Sequence, residues 1–206
     1  MEKLVMHPYS HSPRSKAGIY LILATFSILA AELILHVLAQ NGVTSLPWWS
    51  SVPSFTTIYW GLYTIFNRYI WKTKYVQAYR SYVGVPPNVE GCWQGTVSSS
   101  NGKDEKYQIE INVEQRWNEI SISLRSNSSK SQSLTAHVDT SHPETLITYT
   151  YINTPRKDNV DTMTSHKGTA QLSLRNHRIR PDTLQGGYFN DNQRRTFGEI
   201  DVVRRY

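Results

Sequence analysis

Glu32 and His36 are residues whose types and spacing could do chemistry. They stand four positions apart in "LAAELILHVLAQ" (29–40), an otherwise apolar stretch. Residues four apart share one face of a helix, so the carboxylate and the imidazole would be neighbours, as in an acid–base pair or part of a metal site. The stretch contains no further metal ligand. The interpretations that remain are a contact between helices for Glu32 and a helix end that reaches water for His36.

Other motifs of catalysis or metal binding are weak. "HPE" (142–144) resembles the H-x-E of zinc deaminases, but no cysteine follows it, and that signature requires a downstream P-C-x-x-C. Cys92 is the single cysteine, which excludes an intrachain disulfide and leaves a thiolate zinc site without ligands. No G-x-S-x-G, Walker or H-E-x-x-H motif occurs. We therefore expect no catalytic residue, no metal and no enzymatic activity.

Arginines and aromatic residues are interleaved near the C-terminus, at Arg175, His177, Arg178, Arg180, Tyr188, Arg194, Arg195 and Phe197. A guanidinium group binds phosphate through parallel hydrogen bonds, and both guanidinium groups and aromatic rings offer flat faces to nucleobases. If the strands that carry these residues are neighbours, we expect the residues to converge at connected rims. The alternative is a structural role, because charged residues at strand ends discourage edge pairing.

Two apolar runs precede this region and predict helices. Ile19 to Leu38 has twenty residues, enough for a helix to cross a ~30 Å hydrocarbon core. Its alternative, a signal peptide, has a shorter apolar core and a small-residue cleavage site. Val52 to Trp71 is less apolar but has aromatic residues at both ends, and its alternative is an amphipathic helix on the membrane surface. We predict transmembrane helices at about 19–38 and 53–71.

The distribution of basic residues predicts the orientation of these helices. Residues 1–83 carry seven Lys/Arg and two acidic residues, and residues 39–51 between the apolar runs contain no Lys or Arg. The positive-inside rule then predicts a multi-pass membrane protein with both termini in the cytoplasm. The remaining residues are almost neutral and have no basic stripe, so a DNA or RNA polymer is not an expected partner.

Small and polar residues recur along both predicted helices. They are Gly18, Thr25 and Glu32 at seven-residue spacing in the first, and Gly61 and Thr64 in the second. Small residues allow helices to approach closely in lipid, where packing and hydrogen bonds drive association. We predict a homo-oligomer contact, with Glu32 hydrogen-bonded across the helix interface. The alternative is that such residues are simply common in membrane spans.

From Gly91 onward the hydrophobic period becomes two, after "GVPPN" (84–88) ends a juxtamembrane helix. Short loops rich in Asn, Gly, Ser and Asp separate eight predicted strands, at 92–98, 105–114, 118–126, 131–139, 144–153, 166–175, 183–190 and 195–205. Eight meandering antiparallel strands favour an up-and-down, lipocalin-like β-barrel, with a two-sheet sandwich as the alternative. The predicted domains are a membrane region, 1–83, and a cytoplasmic ligand-binding β-barrel, 84–206.

A barrel of eight strands can be filled by side chains or can hold one small ligand. Rings assigned to its interior, together with nearby polar groups, would suit the bases and phosphates of a nucleotide. The predicted ligand-binding residues are Trp93, Tyr107, Tyr149, Tyr151, Arg175, Tyr188, Arg195 and Thr196.

The two apolar runs, the opening "GCWQGTV" (91–97) and the closing "GGYFNDNQRRTFGEIDVVRR" (186–205) together resemble one family. It comprises the two-transmembrane, β-strand-rich effectors of bacterial cyclic-oligonucleotide antiphage signalling (CBASS). The resemblance implies that the barrel senses a cyclic dinucleotide or oligonucleotide as activating ligand. It also implies that the protein oligomerises in the bacterial inner membrane and disrupts it, which causes abortive infection. Lipocalin-like barrels share the early G-x-W, so a membrane-anchored module for a lipid or other small molecule is the alternative.

Overall fold

The structure is a computed structural model. It describes residues 5–11, 16–42, 51–100, 106–156, 164–175, 182–191 and 195–205, with the side chains of 51–54 left out. The chain forms two compact units. One comprises Arg14–Val85, and the other comprises Met1–Pro13 together with Pro86–Tyr206.

The first unit is helical. Its elements are α1 (Ala17–Gln40), α2 (Ser51–Arg68), a 3₁₀ turn (Ile70–Lys72), α3 (Lys74–Ala78) and α4 (Arg80–Val83). Among the described residues, α1 is the one helix that is long and apolar enough to cross a membrane. The second apolar run does form a helix, α2, but whether it crosses a membrane stays a prediction.

The segment predicted as a juxtamembrane helix is helical only in short pieces. Thr73 has an extended backbone with ψ of 145°, which separates the 3₁₀ turn from α3. The carbonyl of Trp71 accepts a hydrogen bond of 2.9 Å from Nε2 of Gln77 instead of from a helical N–H. The last piece, α4, is capped by Gly84, whose φ of +78° is a left-handed conformation that glycine adopts readily. The paired prolines, Pro86 and Pro87, follow two residues later.

Helices α1 and α2 pack against each other through a face different from the predicted stripe. The buried residues of α1 recur every four positions and are Ile19, Leu23, Ser27 and Ala31. On α1, Gly18, Thr25 and Glu32 are exposed, and on α2 Gly61 is half-buried and Thr64 exposed. The hydroxyl groups of Thr25 and Thr64 each donate to the backbone carbonyl four residues earlier. The stripe is therefore not the contact between α1 and α2 within one chain.

The second unit is a closed β-barrel. Its strands are β3 (Gly91–Ser98), β4 (Lys106–Gln115), β5 (Glu119–Arg125), β6 (Ser129–Asp139), β7 (Thr145–Pro155), β8 (His166–Arg175), β9 (Thr183–Asn190) and β10 (Phe197–Arg205). Each of these eight described strands pairs antiparallel with the strands before and after it in the chain, including β5 with β6. The last strand, β10, pairs with the first, β3, so the sheet is closed. The up-and-down barrel and its eight predicted strands are confirmed, and the two-sheet alternative is excluded.

The core fills one end of the barrel. Trp93 has no exposed surface, and its indole N–H donates a hydrogen bond of 3.1 Å to the carbonyl of Val89. The guanidinium of Arg204 lies 4.6 Å from the centroid of the Trp93 ring and pairs with the carboxylate of Asp182 at 3.4 Å. A cation over an aromatic face contributes about 0.5–2 kcal/mol. This end of the barrel is therefore packed solid.

Two short strands were not predicted. They are β1 (His7–Pro8), antiparallel to β5, and β2 (Ser10–His11), parallel to β6. Tyr9 lies between them, is 6% exposed and belongs to the barrel core. These residues belong with the barrel, whereas the sequence had assigned them to the membrane region. A segment of five residues is too short to show a strand period, which is why these strands could not be predicted. They pair in a gap between β5 and β6 that exists only in the closed barrel.

A candidate ligand-binding cavity in the barrel

A cavity of about 570 Å³ opens at the other end of the barrel. Its walls come from the last residues of β3, β5, β7 and β9 and the first residues of β4, β6, β8 and β10. They are Val97, Ser99, Tyr107, Gln108, Leu124, Ser126, Asn127, Ser128, Ser129, Ser131, Tyr149, Tyr151, Asn153, His166, Tyr188, Asn190, Thr196 and Ile200. The volume lies within the roughly 300–1,000 Å³ of small-molecule sites.

Four tyrosines supply aromatic surface to the cavity. The rings of Tyr149 and Tyr151 lie 6.0 Å apart at 50°, and Tyr107 and Tyr188 line the cavity from β4 and β9. Burial raises the pKa of Tyr149 above its ordinary value near 10, so its phenol stays neutral and can donate a hydrogen bond. The cavity thus combines flat apolar faces with hydroxyl groups.

A chain of hydrogen bonds holds one wall of the cavity. The hydroxyl of Tyr151 donates to Oδ1 of Asn190 at 2.9 Å, and Nδ2 of Asn190 donates to Oγ1 of Thr196 at 2.5 Å. Gly168 of β8 faces this chain, and a Cβ there would lie 2.5 Å from the ring and hydroxyl of Tyr151. The glycine therefore provides the space in which Tyr151 and Asn190 meet.

His166 contributes the one imidazole ring of the described cavity wall. It is 6% exposed, and its Nδ1 lies 3.0 Å from the carbonyl of Thr164. A carbonyl only accepts, so Nδ1 carries the hydrogen and the neutral ring keeps Nε2 as an acceptor. Nε2 lies 3.5 Å from Nδ2 of Asn153. None of the other described lining residues is Lys, Arg, Asp or Glu.

The loop between β5 and β6 adds serine hydroxyls to the rim. Oγ of Ser126 accepts backbone N–H groups of Ser128 and Ser129 at 3.3 and 3.0 Å, which fixes a tight turn. Ser131 continues the same wall on β6. These hydroxyls can donate to an anionic ligand without adding charge to the site.

Five of the eight predicted ligand-binding residues line the cavity: Tyr107, Tyr149, Tyr151, Tyr188 and Thr196. Trp93 does not, because it is buried at the packed end beside Arg204. Arg195 is exposed and precedes Thr196 with a left-handed φ of +49°.

Arg175 lies at the opposite end of the barrel from the cavity. It is the last residue of β8, whose first residue His166 lines the cavity about 30 Å away along the strand. Its Nε pairs with the carboxylate of Glu144 at 3.3 Å. The expected convergence of Arg175 with Tyr188 and Arg195 is therefore wrong, because antiparallel strands bring the end of β8 beside the start of β9. His177, Arg178, Arg180 and Arg194 lie outside the described residues.

Sequence reasoning missed the polar lining residues Asn153, His166 and Asn190. The signal was present for all three residues. Asn153 continues the inward alternation of Tyr149 and Tyr151, Asn190 follows the inward Tyr188 by two positions, and His166 lies on the same face of β8 as Gly168. A polar residue at an inward position near a strand end is typical of a cavity wall and not of a packed core.

The chain is similar to a family model and to two known proteins. The family model described as "Cap15, cyclic dinucleotide receptor domain" matches residues 85–204, which contain all eight barrel strands but for the last residue of β10. The chain is 31% identical over 204 residues to the CD-NTase-associated protein 15 of Yersinia aleksiciae, covering 93% of this chain and 92% of that protein. A protein of the same name from Staphylococcus schleiferi is 24% identical over 125 residues, covering 60% of this chain and 66% of the relative. These matches confirm the resemblance, and the chain belongs to the Cap15 family of CBASS effectors, which carry a cyclic dinucleotide receptor domain.

Proposed function

We propose that the cavity at the open end of the barrel is the site at which this receptor domain binds its cyclic dinucleotide. The observation that carries the proposal is the set of four tyrosines on inward positions around one cavity of about 570 Å³. Stacking of a base on an aromatic ring contributes about 1–3 kcal/mol per base. Tyr107, Tyr149, Tyr151 and Tyr188 are the residues that bind the bases.

The phosphates bind to neutral donors. The described lining offers hydroxyls of Ser126, Ser129 and Thr196 and the amide groups of Asn153 and Asn190. Neutral hydrogen bonds are weaker individually than Arg–phosphate pairs, but they are numerous and carry direction. Such a site selects the ligand by its shape and hydrogen-bonding pattern more than by its charge.

The test is calorimetric titration of the full chain in detergent against a panel of cyclic dinucleotides. We expect saturable binding of at least one member, and no heat with any member would contradict the proposal. Tyr188 and Phe189 are adjacent on β9 and face opposite sides, the first lining the cavity and the second 61% exposed. Tyr188→Ala should weaken binding about tenfold or more, and Phe189→Ala, the matched control, should leave it unchanged.

We further propose that α1, with α2 as a second crossing, anchors the protein in the bacterial inner membrane with both termini cytoplasmic. Ligand binding then drives oligomerisation through the exposed stripe of Gly18, Thr25 and Glu32, and the assembled helices disrupt the membrane. The exposure of the stripe in the α1–α2 pair supports this proposal. A ligand drives assembly only if it binds the assembled state more tightly than the resting state.

Glu32→Leu tests this assembly contact. We expect loss of ligand-dependent crosslinking and of dye release from vesicles, because a hydrogen bond across the helix interface is removed. Leu33→Ala, at a neighbouring exposed position of α1, is the control and should retain both activities. Unchanged assembly and dye release in Glu32→Leu would refute the role of the stripe.

The described cavity wall has no Lys, Arg, Asp or Glu, which also fits a neutral apolar ligand. The second candidate function is therefore a membrane-anchored lipocalin-like module that binds a lipid. Native mass spectrometry of the purified protein separates the two candidates. A co-purified lipid that a cyclic dinucleotide does not displace would favour the second.

A further inference from the structure

The barrel has a seam between β5 and β6. Among the described residues these strands pair directly through three residue pairs, Ser123 to Arg125 with Lys130 to Gln132. Beyond Ser123 and Gln132 the described parts of β5 and β6 do not pair directly, and β6 has a register shift against β7 between Ser133 and Thr135. Every other pair of neighbouring barrel strands is joined over six or more residue pairs in the described chain.

Residues 7–11 fill this seam, and we call them the N-terminal strap. His7 pairs with Ile120 of β5, and Ser10 pairs with His137 of β6. Side chains add to the pairing, since Oγ of Ser10 lies 2.7 Å from Nδ1 of His137. The strap therefore bridges β5 and β6 over the part of the seam where they do not pair directly.

Tyr9 ties the strap into the core. Its hydroxyl accepts a hydrogen bond of 3.0 Å from Nε2 of Gln115, a side chain that is 1% exposed. Oε1 of the same glutamine accepts the N–H of Val89 at 2.8 Å, just before β3 begins. Burial raises the pKa of Tyr9, so its phenol stays protonated in alkaline solution as well as at neutral pH.

The seam and the ligand cavity share one wall. Ser133 stands where the seam opens: its Oγ accepts the N–H of Ile122 at 2.9 Å and lies 2.8 Å from Nε2 of His7. Ser131, two residues earlier on the same face of β6, lines the cavity, as does Leu124 of β5. The directly paired part of the seam thus forms a cavity wall. The strap pairs with the parts of β5 and β6 that continue beyond this wall.

We propose that the N-terminal strap is a positioning element of the receptor: it closes the β5–β6 seam, orders the cavity wall formed by these strands, and couples ligand binding to its own seating. This inference deepens the proposed cyclic dinucleotide site and rests on it. Removing the strap leaves strand edges of β5 and β6 unpaired and leaves the cavity wall free to move. The ligand must then order this wall when it binds, which costs free energy and lowers the affinity.

The coupling has a consequence for signalling. If the seated strap increases ligand affinity, the ligand must by linkage stabilise the seated strap by the same factor. Six residues after His11 in the sequence, α1 begins at Ala17. Ligand occupancy therefore acts on the strap, which precedes the apolar helix in the sequence.

The first test is Tyr9→Ala in the full chain in detergent, titrated with the cyclic dinucleotide that the wild-type chain binds. We expect affinity to fall about fivefold to a hundredfold, the usual range of such couplings, at a temperature where thermal melting shows the barrel folded. Val5→Ala, at a position 72% exposed, is the control and should bind as the wild type does. A synthetic peptide of residues 5–11 should restore the affinity of the variant, because a merely structural lesion would not respond to it.

A Tyr9→Ala chain that is folded and binds with wild-type affinity would overturn the inference and leave the proposed site intact. A wild-type chain that binds no member of the panel would instead overturn the proposed function and the coupling with it. Hydrogen exchange of the wild-type chain provides a measurement that needs no variant. Ligand should slow exchange at Tyr9 and Ile120 severalfold, and unchanged exchange there at saturation would also refute the coupling.

Discussion

Gly168→Ala is the sharpest test of how the cavity wall is built. A Cβ at this position would lie 2.5 Å from Cζ and the hydroxyl of Tyr151 and 2.8 Å from Oδ1 of Asn190. Real side chains do not approach so closely, so Tyr151 or Asn190 must move. Movement of either breaks the hydrogen-bonded chain from Tyr151 through Asn190 to Thr196.

The expected magnitude follows from what is displaced. Two hydrogen bonds contribute about 0.5–1.5 kcal/mol each, and the ring that moves is proposed to bind a base. We expect ligand affinity to fall by about 1.4–3 kcal/mol, or roughly tenfold to a hundredfold. Overpacking costs about 1–3 kcal/mol of stability, offset in part by about 0.4–1 kcal/mol because alanine restricts the unfolded chain.

Calorimetric titration and thermal unfolding of the full chain measure the two effects. Gly187→Ala is the matched control on the neighbouring strand β9. Its Cβ would meet the carbonyl of Gly198 at 3.6 Å, an ordinary contact, so affinity and stability should not fall. If Gly168→Ala binds as tightly as Gly187→Ala, the placement of Tyr151 against this glycine does not determine binding.

Three further predictions concern the barrel. Because burial raises the pKa of Tyr149, the unfolded chain loses a phenol proton above pH 10 that the folded barrel keeps, so stability falls as pH rises. Tyr149→Phe should reduce this fall by up to about 1.4 kcal/mol per pH unit in urea unfolding between pH 10 and 11, and equal slopes would contradict it. Arg204→Ala should lower the free energy of unfolding by about 3 kcal/mol, because it breaks the largely buried ion pair with Asp182 and removes the cation from the Trp93 ring; a loss below about 0.5 kcal/mol would disagree. Arg175→Ala should not change ligand affinity in titration, since Arg175 pairs with Glu144 away from the cavity, and a tenfold loss would place it in the site.

Much of the barrel was predictable because strand period is a local property. Alternation along Tyr149 and Tyr151 placed both rings inside, and the structure places both in the cavity wall. Arg175 shows where this reasoning ends, since a strand pattern tells which face a residue occupies but not which end of the barrel it reaches once neighbours run antiparallel. The polar lining residue His166 was not predicted, because alternation indicates the inward face of a strand but not whether that face meets packed side chains or a cavity.

By itself, the sequence determined the apolar helix α1, the eight strands, the inward tyrosines and the resemblance to CBASS effectors. These properties depend on length, periodicity and motifs within short stretches of chain. The tertiary structure alone decided where the seam of the barrel lies, the space that Gly168 leaves for Tyr151, and the strap that fills the β5–β6 seam. Each of these depends on the register between residues far apart in sequence. Tyr9 and Gln115 meet across 106 positions, and no local pattern can specify such a contact.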